Sequence, residues 1–205
     1  MRVASVLAFP ACLAVMALAS GCGSSTMAVD AITPSLTLQP DARATTRGLK
    51  VAIEEFTTTR DKNKKTLVIG EAKTGFFNFP TDIVASESPE HLVASALREG
   101  LTQTGCQIVD LKDADFALGG QVQDFWVSEY ATGVSLEYAK AYVRYDLTIK
   151  RAEGNTVWGN TLERYETSGQ CWDATAEDIP TLTRALQHTV MSVLQDDAFW
   201  NALSK

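Results

Sequence analysis

Tyr138-Ala139-Lys140-Ala141-Tyr142-Val143-Arg144-Tyr145-Asp146-Leu147-Thr148-Ile149-Lys150 decides the fold. Successive side chains of an extended strand point to opposite faces, so a sustained alternation sorts them into two rows. Ala139, Ala141, Val143, Tyr145, Leu147 and Ile149 form one row; Tyr138, Lys140, Tyr142, Arg144, Asp146, Thr148 and Lys150 form the other. The first row predicts a buried face and the second a wet one, as in an antiparallel sheet covered on a single side. Downstream, Ala152-Glu153-Gly154-Asn155 reads as a tight turn into a strand over Thr156 to Thr167. Upstream, Phe116, Leu118 and Val122 alternate through Gly119-Gly120, and Cys106 to Val109 is a shorter run. These segments predict a meander whose long members are antiparallel.

Two helices frame the meander. Ser88 can accept backbone N–H groups as N-cap, Pro89 suits the first helical position, Glu90 favours the positive end, and Gly105 supplies a left-handed stop. Between them Leu92, Val93, Ala96, Leu97 and Leu101 make an apolar stripe, while Glu90, Arg98 and Gln103 can face water. Thr175 and Asp178 read as a capping box for the second helix. Along it Ile179, Leu182, Leu186, Val190, Val193 and Leu194 recur at helical spacing. Asp196-Asp197 interrupts that helix before Ala198 to Leu203, a last amphipathic turn expected to fold back over the core.

The first half is less regular. Leu49, Val51 and Ile53 alternate as a strand, and Phe56 breaks the phase, which suggests a bulge. Arg60, Lys62, Lys64 and Lys65 form a basic run, read as the solvated tip of a hairpin in preference to a contact with lipid headgroups. Thr66 to Gly70 is then the return strand. Glu71 to Ser88 shows no period, and Phe76, Phe77 and Phe79 are expected to plug a long connection onto the core. The order of elements predicts an α+β two-layer sandwich: a mixed, mainly antiparallel sheet with two helices packed on one face.

The apolar stretch behind Arg2 closes on Leu18-Ala19-Ser20-Gly21-Cys22, which resembles a bacterial lipoprotein processing site. Small residues let a peptidase grip the extended backbone, and the thiol takes a diacylglycerol thioether. Val3 to Ala19 is short for a membrane crossing and is interrupted by Pro10. A signal peptide over 1–21 is therefore expected, with a mature chain lipidated at Cys22. At about 0.8 kcal/mol per buried methylene, a diacylglycerol plus an amide-linked palmitate-like chain anchors stably. Gly23 follows the cysteine in place of Asp, which by resemblance to enterobacterial sorting rules implies the periplasmic leaflet of the outer membrane. Residues 22–48, rich in Ser, Thr, Ala and Pro, read as a flexible tether reaching roughly 25 to 30 Å, with Ser35 to Leu38 as a candidate edge strand. Residues 49–205 are expected to form a single periplasmic domain.

The formal net charge of −7 argues against nucleic acid as a partner, because an extended phosphate backbone, or an anionic lipid surface, is repelled on average. Enzymatic activity, a metal and a cofactor are not expected: His91 and His188 fall on different helices, and no His-Glu-x-x-His, Gly-x-Ser-x-Gly or phosphate loop is present. Cys171 with His188 as base is the one nucleophile to weigh, and about four and a half helical turns plus a loop separate the two. Once Cys12 leaves with the signal and Cys22 is lipidated, Cys106 and Cys171 remain. An oxidising compartment favours a disulfide between them over two buried free thiols. On the wet face Tyr138, Lys140, Tyr142 and Arg144, with Trp126 or Trp158 alongside, form a candidate protein-binding face. Equally, cross-strand aromatics stabilise any sheet with an open side. Such a face also invites sheet-to-sheet homo-oligomers.

The lipidation site, the Ala/Pro-rich arm, Val51-Ala52-Ile53 followed by Thr59-Arg60-Asp61, Ile69-Gly70, Leu97-Arg98-Glu99-Gly100-Leu101 before Gly105, and the tail Asp196 to Leu203 together resemble YajG-type lipoproteins. The resemblance covers nearly the whole mature chain. It implies a non-catalytic periplasmic lipoprotein without cofactor, anchored at the outer membrane and similar in outline to the domains of envelope assembly proteins. Auxiliary lipoproteins of lipid-transporting ABC systems share a comparable helix, meander and terminal helix. That family implies the alternative, a carrier of lipid or a small ligand for an ABC-type transporter.

Overall fold

The computed structural model describes residues 26–29, 48–60, 67–74, 79–132, 136–170 and 174–204. Cys22, Cys171, the basic residues Lys62, Lys64 and Lys65, Phe76, Phe77 and the candidate strand at Ser35 lie outside them. In chain order the elements are β1 (Thr26–Val29), β2 (Lys50–Ile53), β3 (Thr57–Thr58), β4 (Val68–Thr74), β5 (Phe79–Ala85), α1 (Pro89–Gln103), β6 (Gln107–Ile108), β7 (Phe116–Thr132), β8 (Leu136–Arg151), β9 (Thr156–Thr167), α2 (Thr175–Gln195) and α3 (Asp197–Leu203). They form the expected α+β arrangement, a mixed sheet with the helices on one face.

The central strand β7, 17 residues long, uses both of its edges. Along one edge it pairs antiparallel with β8, which pairs antiparallel with β9. The other edge is shared in turn by β2 at Phe116 to Leu118, β3 at Gln121 and Val122, and β4 at Val127 and Ser128, all parallel. β4 is therefore no return strand: it runs in the direction of β2 and continues along the same edge. Its antiparallel partner is β5, a strand where a long loop was expected, and β1 adds in parallel to β5. β6 pairs in parallel with β2 and stands outside the meander. Between Ile53, opposite Leu118, and Thr57, opposite Gln121, the β2–β3 side advances one residue more than β7 does. That is the bulge expected at Phe56, whose ring is buried and meets Tyr145 edge-on at 6.3 Å.

The alternation in β8 is reproduced residue for residue. Ala139, Ala141, Val143, Tyr145, Leu147 and Ile149 are all 0% exposed beneath the helices, whereas the other row is half-buried or exposed. α1 begins at its expected cap, with Ser88 Oγ accepting from His91 N at 3.3 Å, and ends beside Gly105 at φ 93°. Such a cap contributes about 1 kcal/mol. α2 starts differently from expectation. Ala174 occupies the N-cap position, and the Thr175 hydroxyl donates to Glu129 Oε1 at 2.8 Å. Glu129, 2% exposed, also accepts from Lys73 N at 2.6 Å, so one carboxylate on β7 ties the end of β4 to the positive end of α2. α3 folds back as expected: Asp196 accepts from Ala198 N, and Trp200 Nε1 donates to Leu194 O at 2.7 Å.

The Arg60 guanidinium is not a solvated hairpin tip. It reaches back to donate to Val68 O at 2.5 Å. Where β7 and β8 approach, Gly120 leaves no room for a side chain: a Cβ there would lie 1.9 Å from Asp146 O and 2.9 Å from the Phe56 ring. At Gly159 the nearest atom would be 3.5 Å away. Gly120→Ala is accordingly expected to destabilise the domain by about 1–3 kcal/mol, as overpacking does, while Gly159→Ala stays within about 0.5 kcal/mol of the parent. Urea denaturation of both variants measures the contrast.

Candidate functional site

Because the inward row of β8 is committed to the core, its other row meets the outward residues of β7 and β9 on the face away from the helices. The registers set rungs across three strands. Trp126, Tyr142 and Tyr165 make one; Asp124, Arg144 and Glu163 make the next; Gln121, Asp146 and Thr161 follow. Toward the β8 start, Ser128, Lys140 and Thr167 form a rung, and beyond it Tyr130 faces Tyr138.

The side chains bind one another along these rungs. Tyr142 and Tyr165 stack with ring centroids 4.0 Å apart and an interplanar angle of 15°, and Tyr130 and Tyr138 stack at 5.7 Å. Lys140 Nζ lies 5.5 Å from the Tyr165 ring centre and 5.8 Å from that of Tyr130, bridging the two stacks by cation–π contact. Tyr142 donates to Glu163 Oε2 at 3.1 Å, and Arg144 Nε sits 3.9 Å from the same oxygen. Asp146 accepts from Gln123 and from Thr161, both at 2.6 Å. Trp126 Nε1 donates to Ser128 Oγ.

The five residues Trp126, Tyr138, Lys140, Tyr142 and Arg144 thus share one surface, as the strand alternation implied. Trp158 does not join them: it pairs with Ile149 on the helix side and meets Phe199 of α3 edge-on at 5.4 Å. Tyr130 and Tyr165, 44% and 57% exposed, are the members that sequence reading missed. Alternation within Thr156 to Thr167 would have put Tyr165 on the same side as Glu163 and Thr161, and only the β8–β9 register places it against Tyr142.

Desolvation first, then hydrogen bonds to Tyr165 and Glu163, push the Tyr142 phenol up to about 12. Burial raises that of Tyr145, which is fully enclosed, well above the usual tyrosine range. Glu166 is the opposite case. Partial burial acts to raise it, but Arg164 at 2.7 Å and His188 at 2.5 Å together hold its carboxyl below the usual range. His91 lies 2.6 Å from Glu87. Each histidine therefore has a glutamate partner on the surface, and among the described residues no group of three His, Cys, Asp or Glu side chains could hold a metal ion. A groove of about 530 Å³ at the edge formed by β2 and β6, rimmed by Glu54, Glu55, Arg98 and Asp110, mixes both charges.

Cys106 is a buried free thiol beside Thr104 Oγ1, 3.7 Å away, and burial raises its pKa. The disulfide expected with Cys171 involves a residue outside the described ones, and the strand that leads to it ends far from Cys106. Cys106 lies next to the start of β2 and β7, whereas β9 ends beside Lys140 and Ser168 N donates to Ala139 O. Since β9 runs parallel to β7, its end falls roughly 40 Å along the sheet from Cys106. A bridge requires Cα atoms within about 7 Å. Cys171 itself lies outside the described residues, one peptide beyond Gln170.

No protein-family model matches this chain, and no curated protein matches it. Its fold is shared with a solved protein, XCC0632 of Xanthomonas campestris, described under the family model DUF330, with a TM-score of 0.55 and 13% identity over 88% of this chain and 95% of that one. A minor lipoprotein from Acinetobacter baumannii aligns with a TM-score of 0.43 and 10% identity, over 74% of this chain and 94% of that one. The PelC dodecamer from Paraburkholderia phytofirmans aligns with a TM-score of 0.38 and 18% identity, over 70% and 87%. The first likeness establishes a common architecture. Among the described residues no helix is long and apolar enough to cross a membrane.

Two measurements probe this geometry. A phenol is neutral when protonated, and tyrosines of the unfolded chain ionise near about 10, so the folded state binds protons that the unfolded state has released. Stability is thus full below pH ~10 and is expected to fall as pH rises through about 12; urea midpoints taken upward from neutral pH should drop there, and less so in Tyr142→Phe. Second, denaturation without reductant in the presence of a maleimide should label both Cys106 and Cys171 on every molecule, where an internal bridge would leave both unlabelled.

Proposed function

We propose that this chain is a non-catalytic lipoprotein of the bacterial cell envelope, anchored through Cys22 at the periplasmic leaflet of the outer membrane, and that its open sheet face binds another protein. The observation that carries the reading is the ladder itself: the Trp126–Tyr142–Tyr165 rung beside the Asp124–Arg144–Glu163 rung on the face opposite the helices. Large aromatic side chains held flat by stacking lose little conformational freedom on binding, and Arg adds directional donors; these are the residue types that dominate protein interfaces. The mixed signs of the second rung favour a partner with its own alternating charges over a uniformly charged surface. The YajG resemblance in the arm, the first helix and the tail supports the same placement in the envelope.

The test is a photoreactive amino acid at position 142, with position 153 in the exposed β8–β9 turn as control, irradiated in intact cells. A discrete adduct at 142, absent at 153 and lost in Tyr165→Ser/Arg144→Glu with an unchanged melting temperature, is the expected result. Equal adducts at both sites would remove the binding face. Phospholipid recovered with the purified protein at one molecule per chain would replace this reading with the carrier for an ABC-type transporter.

A further inference from the structure

β1 places the amino-terminal arm on the sheet. Thr26 pairs with Asp82 and Val29 with Ala85, in parallel, so the chain enters β1 from the side on which β5 begins at Phe79 and Pro80. Four peptide units separate Thr26 from Cys22. A fully extended chain covers at most about 3.6 Å per residue, which keeps Cys22 within about 14 Å of the sheet corner, well inside the reach of an unpaired arm.

The end of the sheet nearest that corner has a distinct chemistry. Pro80 pairs with Lys73, and Lys73 N donates to Glu129 on β7. The parallel β4–β7 pairing ends at Glu71 and Ser128, two residues before Lys73 on β4 and before Tyr130 on β7, which pairs with Tyr138. The Pro80–Lys73 pair of β5 and β4 and the Tyr130–Tyr138 pair of β7 and β8 therefore lie at the same end of the sheet, with Lys140 over the Tyr130 ring. Tyrosines with an apolar body and polar tip, beside lysines with long apolar stems, are the residues a membrane–water interface selects. At the opposite end, roughly 45 Å away along β8, the exposed side chains include Asp110, Asp113, Asp115 and Glu153 together with Lys50 and Lys112, a carboxylate excess that anionic headgroups repel.

We propose that the domain stands on the phospholipid surface on its Pro80–Lys73–Tyr130–Tyr138 end, held there by the lipid on Cys22 through the β1–β5 pairing, with the Asp110–Asp115 end pointing away. This rests on lipidation at Cys22. The rungs of Trp126 and Arg144 then rise just above the headgroups, so a protein bound there is itself at the membrane.

The test uses the full, lipidated protein in vesicles of phosphatidylethanolamine and phosphatidylglycerol carrying a nitroxide on a fraction of headgroups. A fluorescent amino acid replaces Gly169, at the proposed membrane end, where a Cβ meets nothing within 4 Å, or Glu153 at the far end. Quenching several-fold stronger at 169 than at 153 is expected, and Ala28→Pro, which breaks the β1 ladder, should bring 169 down toward 153 while the protein still floats with the vesicles. Equal quenching at both sites, absence of quenching in a protein that floats, or quenching at 169 unchanged by Ala28→Pro overturns the orientation and leaves the anchor standing. A protein that does not float, or a Cys22→Ala variant that floats as well as the parent, removes the anchor and the orientation together.

Discussion

The antiparallel pairing of β7 with β8 is the constraint on which the rest depends. It holds the Ala139-to-Ile149 row under α2, where each large aliphatic side chain contributes about 1.5–3 kcal/mol on full burial. It also leaves the other edge of β7 long enough to be shared by β2, β3 and β4. The two strands come close because Gly120 carries no side chain against Asp146 and Phe56. Glu129 then locks the far end of β7 to both β4 and α2, a buried carboxylate with a backbone N–H and a hydroxyl as its donors.

The outer face is a consequence of that inner one. With Val143 and Tyr145 turned to the core, Tyr142 and Arg144 have to point outward, and register decides whom they meet. The result is a surface whose aromatic rings are restrained before any partner arrives. A restrained surface binds at lower entropic cost than one built of mobile side chains. Its chemistry changes along the strands, from tyrosine and lysine at one end through tryptophan and arginine to Asp146, Thr148 and the Lys150–Glu54 ion pair at the other.

Where sequence reading failed, the reasons are local. Leu118 and Val122 point inward on β7, but Gln123 is an extra residue against β8, after which Phe125 and Val127 take the inward places. One bulge shifts the period by a residue, so the alternation ends early and Tyr130 is lost from view. In β5, Thr81 fills an inward position beside Ile83 and Ala85, and Pro80 sits where the strand has β4 on one side only, ahead of the Thr26–Asp82 pair; the segment therefore reads as a loop. The expectation of a disulfide rests on cysteine number and compartment, neither of which encodes that β9 runs parallel to β7 and ends at the other end of the sheet from Cys106. By contrast, the caps of α1 and the row structure of β8 were legible, since both depend on residues within a few positions of each other.

By itself, the sequence determined the periodic elements, the α+β class and the residues of the outer row on β8, because alternation and capping are set by neighbouring residues. Tertiary structure alone decided that β2, β3 and β4 line up along one edge of β7, that Tyr165 stacks on Tyr142, and that β1 adds in parallel to the outer edge of β5. Strand order and register depend on which edges find each other across long stretches of chain, and nothing in the local pattern of side chains encodes that choice.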